Sequence, residues 1–177
     1  MACAQTLSGI INDCAASMGG IVEAYIANHA DVTAVATTDG KVSGITLAST
    51  AKFKKYAFPR NTGSLSSNYT IDDTTGAKFV ATDLVLQFNR METSKRIEIT
   101  ALAQGELAVI VKDANGAYWY LGKDAPVKAT AGDGLSGTAR ADRNGYSVTL
   151  QDNSLELPLE INVGSGTGQV NLDDIVA

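Results

Sequence analysis

The stretch Leu107–Leu121, LAVIVKDANGAYWYL, constrains the fold of this chain more than any other. Two runs of β-branched and aromatic residues flank Asp113-Ala114-Asn115-Gly116. Asn-Gly between such runs predicts a type I′ hairpin turn, with positive φ at both central residues. The pair holds the only tryptophan and two of the six tyrosines, so it predicts the start of a core. Successive strand residues face opposite ways. Only one of Tyr118 and Trp119 can therefore enter a sandwich, and Trp119 is the expected one, beside Val109 and Val111.

A chain of 177 residues with 45% hydrophobic content can bury one sizeable core. Seventeen glycines against three prolines fit many short turns and a mainly β protein. No run of eighteen apolar residues occurs, and residues 1–20 show neither a cationic segment nor an apolar stretch after it, so the expectation is a cytoplasmically made product with no membrane partner. Cys3 and Cys14 are expected to be reduced thiols rather than a disulfide.

Residues 1–20 read as an N-terminal arm ending in Met18-Gly19-Gly20. Strands are expected over 21–27, 32–37, 41–48 and 52–58, with turns at Asn28–Asp31 and Asp39-Gly40 and a stop at Pro59. Residues 64–71 and 78–89 alternate with period two and join through Asp72-Asp73-Thr74-Thr75-Gly76, predicting a long hairpin with one packed and one polar face. Ser64, Ser66, Asn68 and Thr70 fall on the polar face, across from Asp83 and Gln87. Asn89 followed by Glu92 resembles a capping box, and Gly105 stands where a C′ glycine would close a helix, so a helix is expected over about 90–104. Residues 123–144 read as a long loop. Strands at 145–151 and 157–163 are expected to pair, and 164–177 reads as a flexible acidic tail.

Charge is segregated. Residues 1–39 carry four acids and no Lys or Arg, whereas 40–71 carry five bases and no acid; 142–177 carries six acids against Arg143 alone. Surfaces of opposite sign suit head-to-tail self-association, which makes Lys52, Lys54, Lys55 and Arg60 candidate contacts between copies. The same stretch interleaves Phe53, Tyr56 and Phe58 with its cations, as single-strand nucleic-acid binders do. A protein-docking surface is the preferred reading.

Signals for enzymatic chemistry are poor. Gly132-Asp133-Gly134-Leu135-Ser136-Gly137 spells G-x-G-x-x-G, but it neither follows a strand directly nor opens a helix, as phosphate cradling requires. Thr138 occupies the place of the second glycine of a nucleophile elbow around Ser136. His29 is the only histidine and falls in a turn; with Cys3 and Cys14 it is too small a set for a metal site. Asn68-Tyr69-Thr70 matches a glycosylation sequon without an export signal. No catalysis, cofactor or metal is expected.

The glycine-initiated strand GGIVEAYIA, the long hairpin, the helix METSKRIEITALAQ, and AVIVKDANGAYWYLG followed by a loop and NGYSVTLQ together resemble the tail tube proteins of tailed bacteriophages, over about residues 19–162. The resemblance implies a mainly β fold, a β-sandwich or partial barrel with one helix, in a domain over 21–163 whose long hairpin joins an oligomeric β-barrel. It implies a virion structural protein that forms stacked, hexameric rings, a conduit for DNA ejection whose lumen is lined by the polar hairpin face. Its partners would be copies of itself and other tail proteins such as tape measure and tail completion proteins, with DNA passing unbound. Two other readings stay open from the residues alone. One is a monomeric carbohydrate- or ligand-binding β-sandwich that uses Tyr118, Trp119 and Tyr120 as a stacking platform; the other is a different head-tail structural protein.

Overall fold

Five consecutive residues, Leu107 to Val111, are buried, which requires the strand that carries them to be covered on both faces. A computed structural model of the chain, describing residues 7, 9–11 and 14–177, shows how. The strands run β1 Ile21–Asn28, β2 Val32–Thr38, β3 Lys41–Leu47, β4 Lys54–Tyr56, β5 Ser64–Asp72 and β6 Ala77–Asn89; after helix α1, Thr93–Gln104, come β7 Leu107–Asp113, β8 Tyr118–Leu121, β9 Lys128–Leu135, β10 Gly145–Ser154 and β11 Leu159–Glu160, and α2 spans Leu172–Ile175. They form a five-stranded sheet in the order β11-β8-β7-β1-β4, a four-stranded sheet β5-β6-β10-β9 and the hairpin β2-β3. Every pairing between named strands is antiparallel, and among the described residues no sheet closes into a barrel.

Two apolar clusters sit on the two faces of the five-stranded sheet. Val109, Val111 and Leu121 on one face meet Leu84, Leu86, Val148 and Leu150 of the four-stranded sheet. Ala108, Ile110 and Tyr120 on the other meet Val42, Ile45, Phe53, Ile161, Val170 and Ile175. The expectation that only one face of the central hairpin packs was therefore too narrow. Trp119 does lie on the Val109/Val111 side, but it is half-buried, with its ring N–H donated to Asp113 Oδ2 at 3.2 Å.

The hairpin is where the sequence places it, with a different turn. Asn115 does not adopt positive φ; Gly116 does, at 91°. Gly116 N–H donates to Asp113 O at 3.2 Å, and Asp113 Oδ1 accepts from the N–H groups of Asn115 and Ala117, both at 2.9 Å. The Asp113 carboxylate thus organises a type I-like turn followed by a left-handed glycine. The type I′ pair occurs instead at Asp39 (φ 53°) and Gly40 (φ 74°), closing β2 onto β3.

Other differences have local causes. The capping box of α1 is absent: Asn89 ends β6, Arg90 takes φ 60°, and Glu92 is the N-cap without a side-chain cap bond. Gly105 is not left-handed (φ −84°); a Cβ there would come within 3.1 Å of Ala101 O and of Leu107 Cδ2, so close approach explains the glycine. Residues 128–135, expected as loop, form β9 against β10, where Gly134 leaves room for the Tyr146 ring. The segments at 145–154 and 159–160 do not pair with each other; β10 inserts between β6 and β9, and β11 adds to β8.

The expected flexible tail is packed. Val170 and Ile175 are buried, Phe53 N–H donates to Ile175 O at 2.8 Å, and Ala177 N–H donates to Phe53 O at 2.9 Å. Gln169 closes the glycine-rich turn by accepting Gly166 N–H at 2.8 Å. Apolar positions at Val170, Leu172, Ile175 and Val176 outweigh the acidity of Asp173 and Asp174, because burying them completes the second cluster.

Candidate functional site

The four-stranded sheet turns one face inward and leaves the other polar. On β6 the even-numbered residues Val80, Thr82, Leu84, Leu86 and Phe88 are buried. The odd-numbered ones lie on the opposite face, where Asp83 sits across from Ser66 and Val85 from Ser64. Asn68 and Thr70 share that face beside Ala81 and Phe79, and Gln87 faces Ser147 of β10. All six residues expected on the polar hairpin face therefore lie on one surface of one sheet.

That surface is wider than the hairpin. Ser147, Thr149, Gln151 and Asn153 of β10 continue it, and β9 extends it through Asp133 and Ala131, the partners of Ser147 and Thr149. The alternation Ser147, Thr149, Gln151, Asn153 around Val148, Leu150 and Asp152 is visible in the sequence and would have revealed them. Its charged groups are held in place: Gln151 Nε2 donates to Asp83 Oδ1 at 2.8 Å, and Asp133 accepts from Arg143 at 2.6 Å and from Ser147 Oγ at 2.9 Å. The Arg143 guanidinium, followed by the Ser147 hydroxyl, holds the Asp133 carboxyl below the usual carboxylate range.

Among the described residues neither edge strand of this sheet has a second strand partner: β5 pairs with β6 alone and β9 with β10 alone, over nine and eight residues, while α1 lies against β9. Neither strand contains proline, and Lys128 at the start of β9 is the one Lys or Arg in either of them. On the inward face, where β5 and β6 run toward their turn, Tyr69 and Ile71 are 60% and 61% exposed.

The basic stretch behaves differently from the expectation of a free patch. Lys52 donates to the carbonyl of Asp174, Lys55 pairs with Glu23 at 2.5 Å, and Lys41 pairs with Glu160 at 2.8 Å. Two of the five cations of 40–71, Lys41 and Lys55, thus pair with carboxylates of the same chain, and Lys52 engages a backbone carbonyl. Lys54 and Arg60 stand exposed. Glu23 also accepts from Tyr25 OH at 2.8 Å; the Lys55 hydrogen bond, above all, lowers its carboxyl, so its contribution to stability is present above the ordinary carboxylate range and is lost as pH falls through the folded value.

The residues weighed for catalysis are not assembled. The G-x-G-x-x-G segment lies in β9 and just past it, its first backbone groups engaged by β10. His29 sits in a short 3-10 turn with Nε2 3.2 Å from Gly122 O. Among the described residues no group of three His, Cys, Asp or Glu could hold a metal ion, and no helix is long and apolar enough to cross a membrane. Cys14 is exposed, while Cys3, and with it the pairing question, lies outside the described residues. The aromatic platform does not form: Tyr120 is buried at 2% exposure and Trp119 faces the opposite side of the sheet.

One buried acid stands apart. Asp152 is 2% exposed with Oδ1 unpartnered, near the Tyr120 hydroxyl, which also lacks a partner. Burial raises the Asp152 carboxyl, against the opposing hydrogen bonds from Gly122 N–H and the Ser154 hydroxyl. A raised folded-state value makes the contribution to stability largest at acid pH and progressively lost as pH rises through it. Asp152→Asn is therefore expected to stabilise the fold at pH 7 by about 1 kcal/mol, with the gain shrinking toward zero at pH 4. Urea unfolding at the two pH values checks this, and a destabilisation at pH 7 would contradict it.

Comparison with protein-family models, with curated proteins and with solved structures gives no match.

Proposed function

We propose that this chain is a structural subunit that pairs edge to edge with copies of itself into rings, and that the rings stack into a tube of the bacteriophage tail type. The observation that carries the reading is the four-stranded sheet, with two long edge strands that have no second strand partner among the described residues and one continuous, mainly polar face. An open edge presents unpaired N–H and C=O groups, and proteins that stay monomeric blunt such edges with charge, proline or a covering element. Joining the β5 edge of one subunit to the β9 edge of the next satisfies both. Repetition around a closed ring, hexameric in the proposal, turns six short sheets into one barrel with no free edge.

The polar face then lines the lumen. Its hydroxyls and amides keep the wall hydrated, and Asp83 repeated in each subunit adds negative charge that repels phosphates instead of holding them, so DNA passes without sequence-specific binding. Tyr69 and Ile71, exposed on the other face of the hairpin end, supply apolar area for contact with the next ring. Tape measure and tail completion proteins would be further partners, and the virion tail its location.

Cysteine at Ser66 or Asp83, in a chain with Cys3 and Cys14 changed to serine, tests the lumen. A maleimide too bulky to enter a tube should label free subunits readily and assembled particles several-fold less. Equal labelling in both would place this face on the outside.

A further inference from the structure

The chain contains two Asn-Gly pairs, Asn115-Gly116 and Asn144-Gly145. Asn115 lies exposed at the tip of the central hairpin, and its carboxamide holds the root of the N-terminal arm: Met18 N–H donates to Oδ1 at 2.8 Å, and Nδ2 donates to Met18 O at 3.0 Å. Ala114 N–H adds a third bond, to Gly20 O at 3.1 Å. Beyond this clasp the arm exposes Leu7, Ile10 and Ile11 at 91%, 97% and 95%.

We propose that Asn115 is a site of spontaneous deamidation, and that its conversion releases the arm. The backbone nitrogen of Gly116, after losing its proton, attacks Cγ of Asn115. A C–N bond forms, ammonia leaves, and a succinimide ring closes. Water then adds to either ring carbonyl and opens it to aspartate or isoaspartate, with no change of oxidation state.

Glycine at the following position removes the Cβ that hinders ring closure, and no atom lies within 4 Å of where a Cβ of Gly116 would stand. Aspartate replaces the Nδ2 donor with a carboxylate oxygen facing Met18 O, while isoaspartate reroutes the backbone through Cγ and leaves the carboxylate on Cα, so the amide donor is lost in both. The bond to Met18 O is lost, and in the aspartate oxygen is set against oxygen. The bound arm slows its own release, because the carboxamide must leave Met18 before it turns toward Gly116, whose N–H must in turn leave Asp113 O, 3.2 Å away.

Asn144-Gly145 is an internal control. Its amide side chain accepts Met91 N–H at 2.9 Å, but Gly145 is buried in the ladder, where even a Cβ would come within 2.0 Å of Phe88 O. The backbone there has no room to fold into a succinimide.

Full-length protein incubated at pH 8 and 37 °C, then mapped by peptide mass, should gain one dalton at Asn115 while Asn144 stays intact. Met18→Pro removes one clasp donor in an exposed segment and should speed conversion at Asn115 several-fold. Asn115→Asp should make thermolysin cleavage near Leu7, Ile10 and Ile11 several-fold faster, with the unfolding midpoint of the domain unchanged. Absence of conversion at Asn115, or equal conversion at both sites, would overturn the modification site; unchanged arm cleavage in Asn115→Asp would overturn the release.

Discussion

Phe53→Ala should destabilise the domain by about 3 to 5 kcal/mol, the range of large-to-small substitutions in a core that cannot collapse around the space left behind. Phe53 is fully buried, and its backbone is gripped on both sides by the C-terminal segment through Ile175 O and Ala177 N–H. Its ring packs in the cluster that also holds Tyr25, Ile110, Val170 and Ile175. The substitution removes apolar contact from the five-stranded sheet and from the tail at once, so protease cleavage after Val170 should become faster as well. Equilibrium unfolding in urea reads the first effect and timed proteolysis the second. A loss under about 1 kcal/mol would mean that the tail rests loosely on the sheet and that the second core is not continuous.

Lysine placed on both edge strands, Ser66→Lys with Ala131→Lys, should abolish assembly. Both positions are exposed on the polar face, so the isolated fold should change by no more than about 0.5 kcal/mol. Paired edge to edge, each contact would bring like charges together, the device by which natural edge strands avoid association. Raising salt to 1 M, where the screening length falls to about 3 Å, should partly restore the particles. Unchanged assembly of the double variant at low salt would rule out pairing through β5 and β9.

Much of the fold was legible because it rests on local signals. The period-two runs of β5 and β6, the apolar runs of β7 and β8 and the turn residues at Asp39-Gly40 carry their structure in their own side chains. Where sequence reading failed, distant contacts decided. β9, with Ala129, Ala131, Gly132 and Gly134, has no strand signature of its own and is a strand because β10 offers a ladder and Tyr146 needs a small neighbour. The turn at Asn115 took another type because Asp113, two residues earlier, supplied a competing acceptor for two backbone N–H groups. The tail looked flexible from its glycines and acids, yet four apolar residues at irregular spacing dock it on a surface that only the folded chain presents.

The candidate site shows the same division. Alternation put Ser64, Ser66, Asn68, Thr70, Asp83 and Gln87 on one face, as the register has them, because side-chain direction in a strand is fixed by parity. The continuation of that face onto β10 and β9 depends on strand order, which alternation does not encode. The partners of Lys52 and Lys55 inside the chain were equally hidden, since they are the backbone carbonyl of Asp174 and the carboxylate of Glu23, far off in sequence.

The most direct test of self-assembly through these edges is the native mass of the purified full-length chain across a concentration series, read by mass photometry and followed by negative-stain imaging. Edge-to-edge assembly predicts discrete particles at integral multiples of the 18.4 kDa subunit, with annular end views and a central channel that lengthen into tubes as concentration rises. A single 18.4 kDa species at every concentration, with no annular particles, would contradict it.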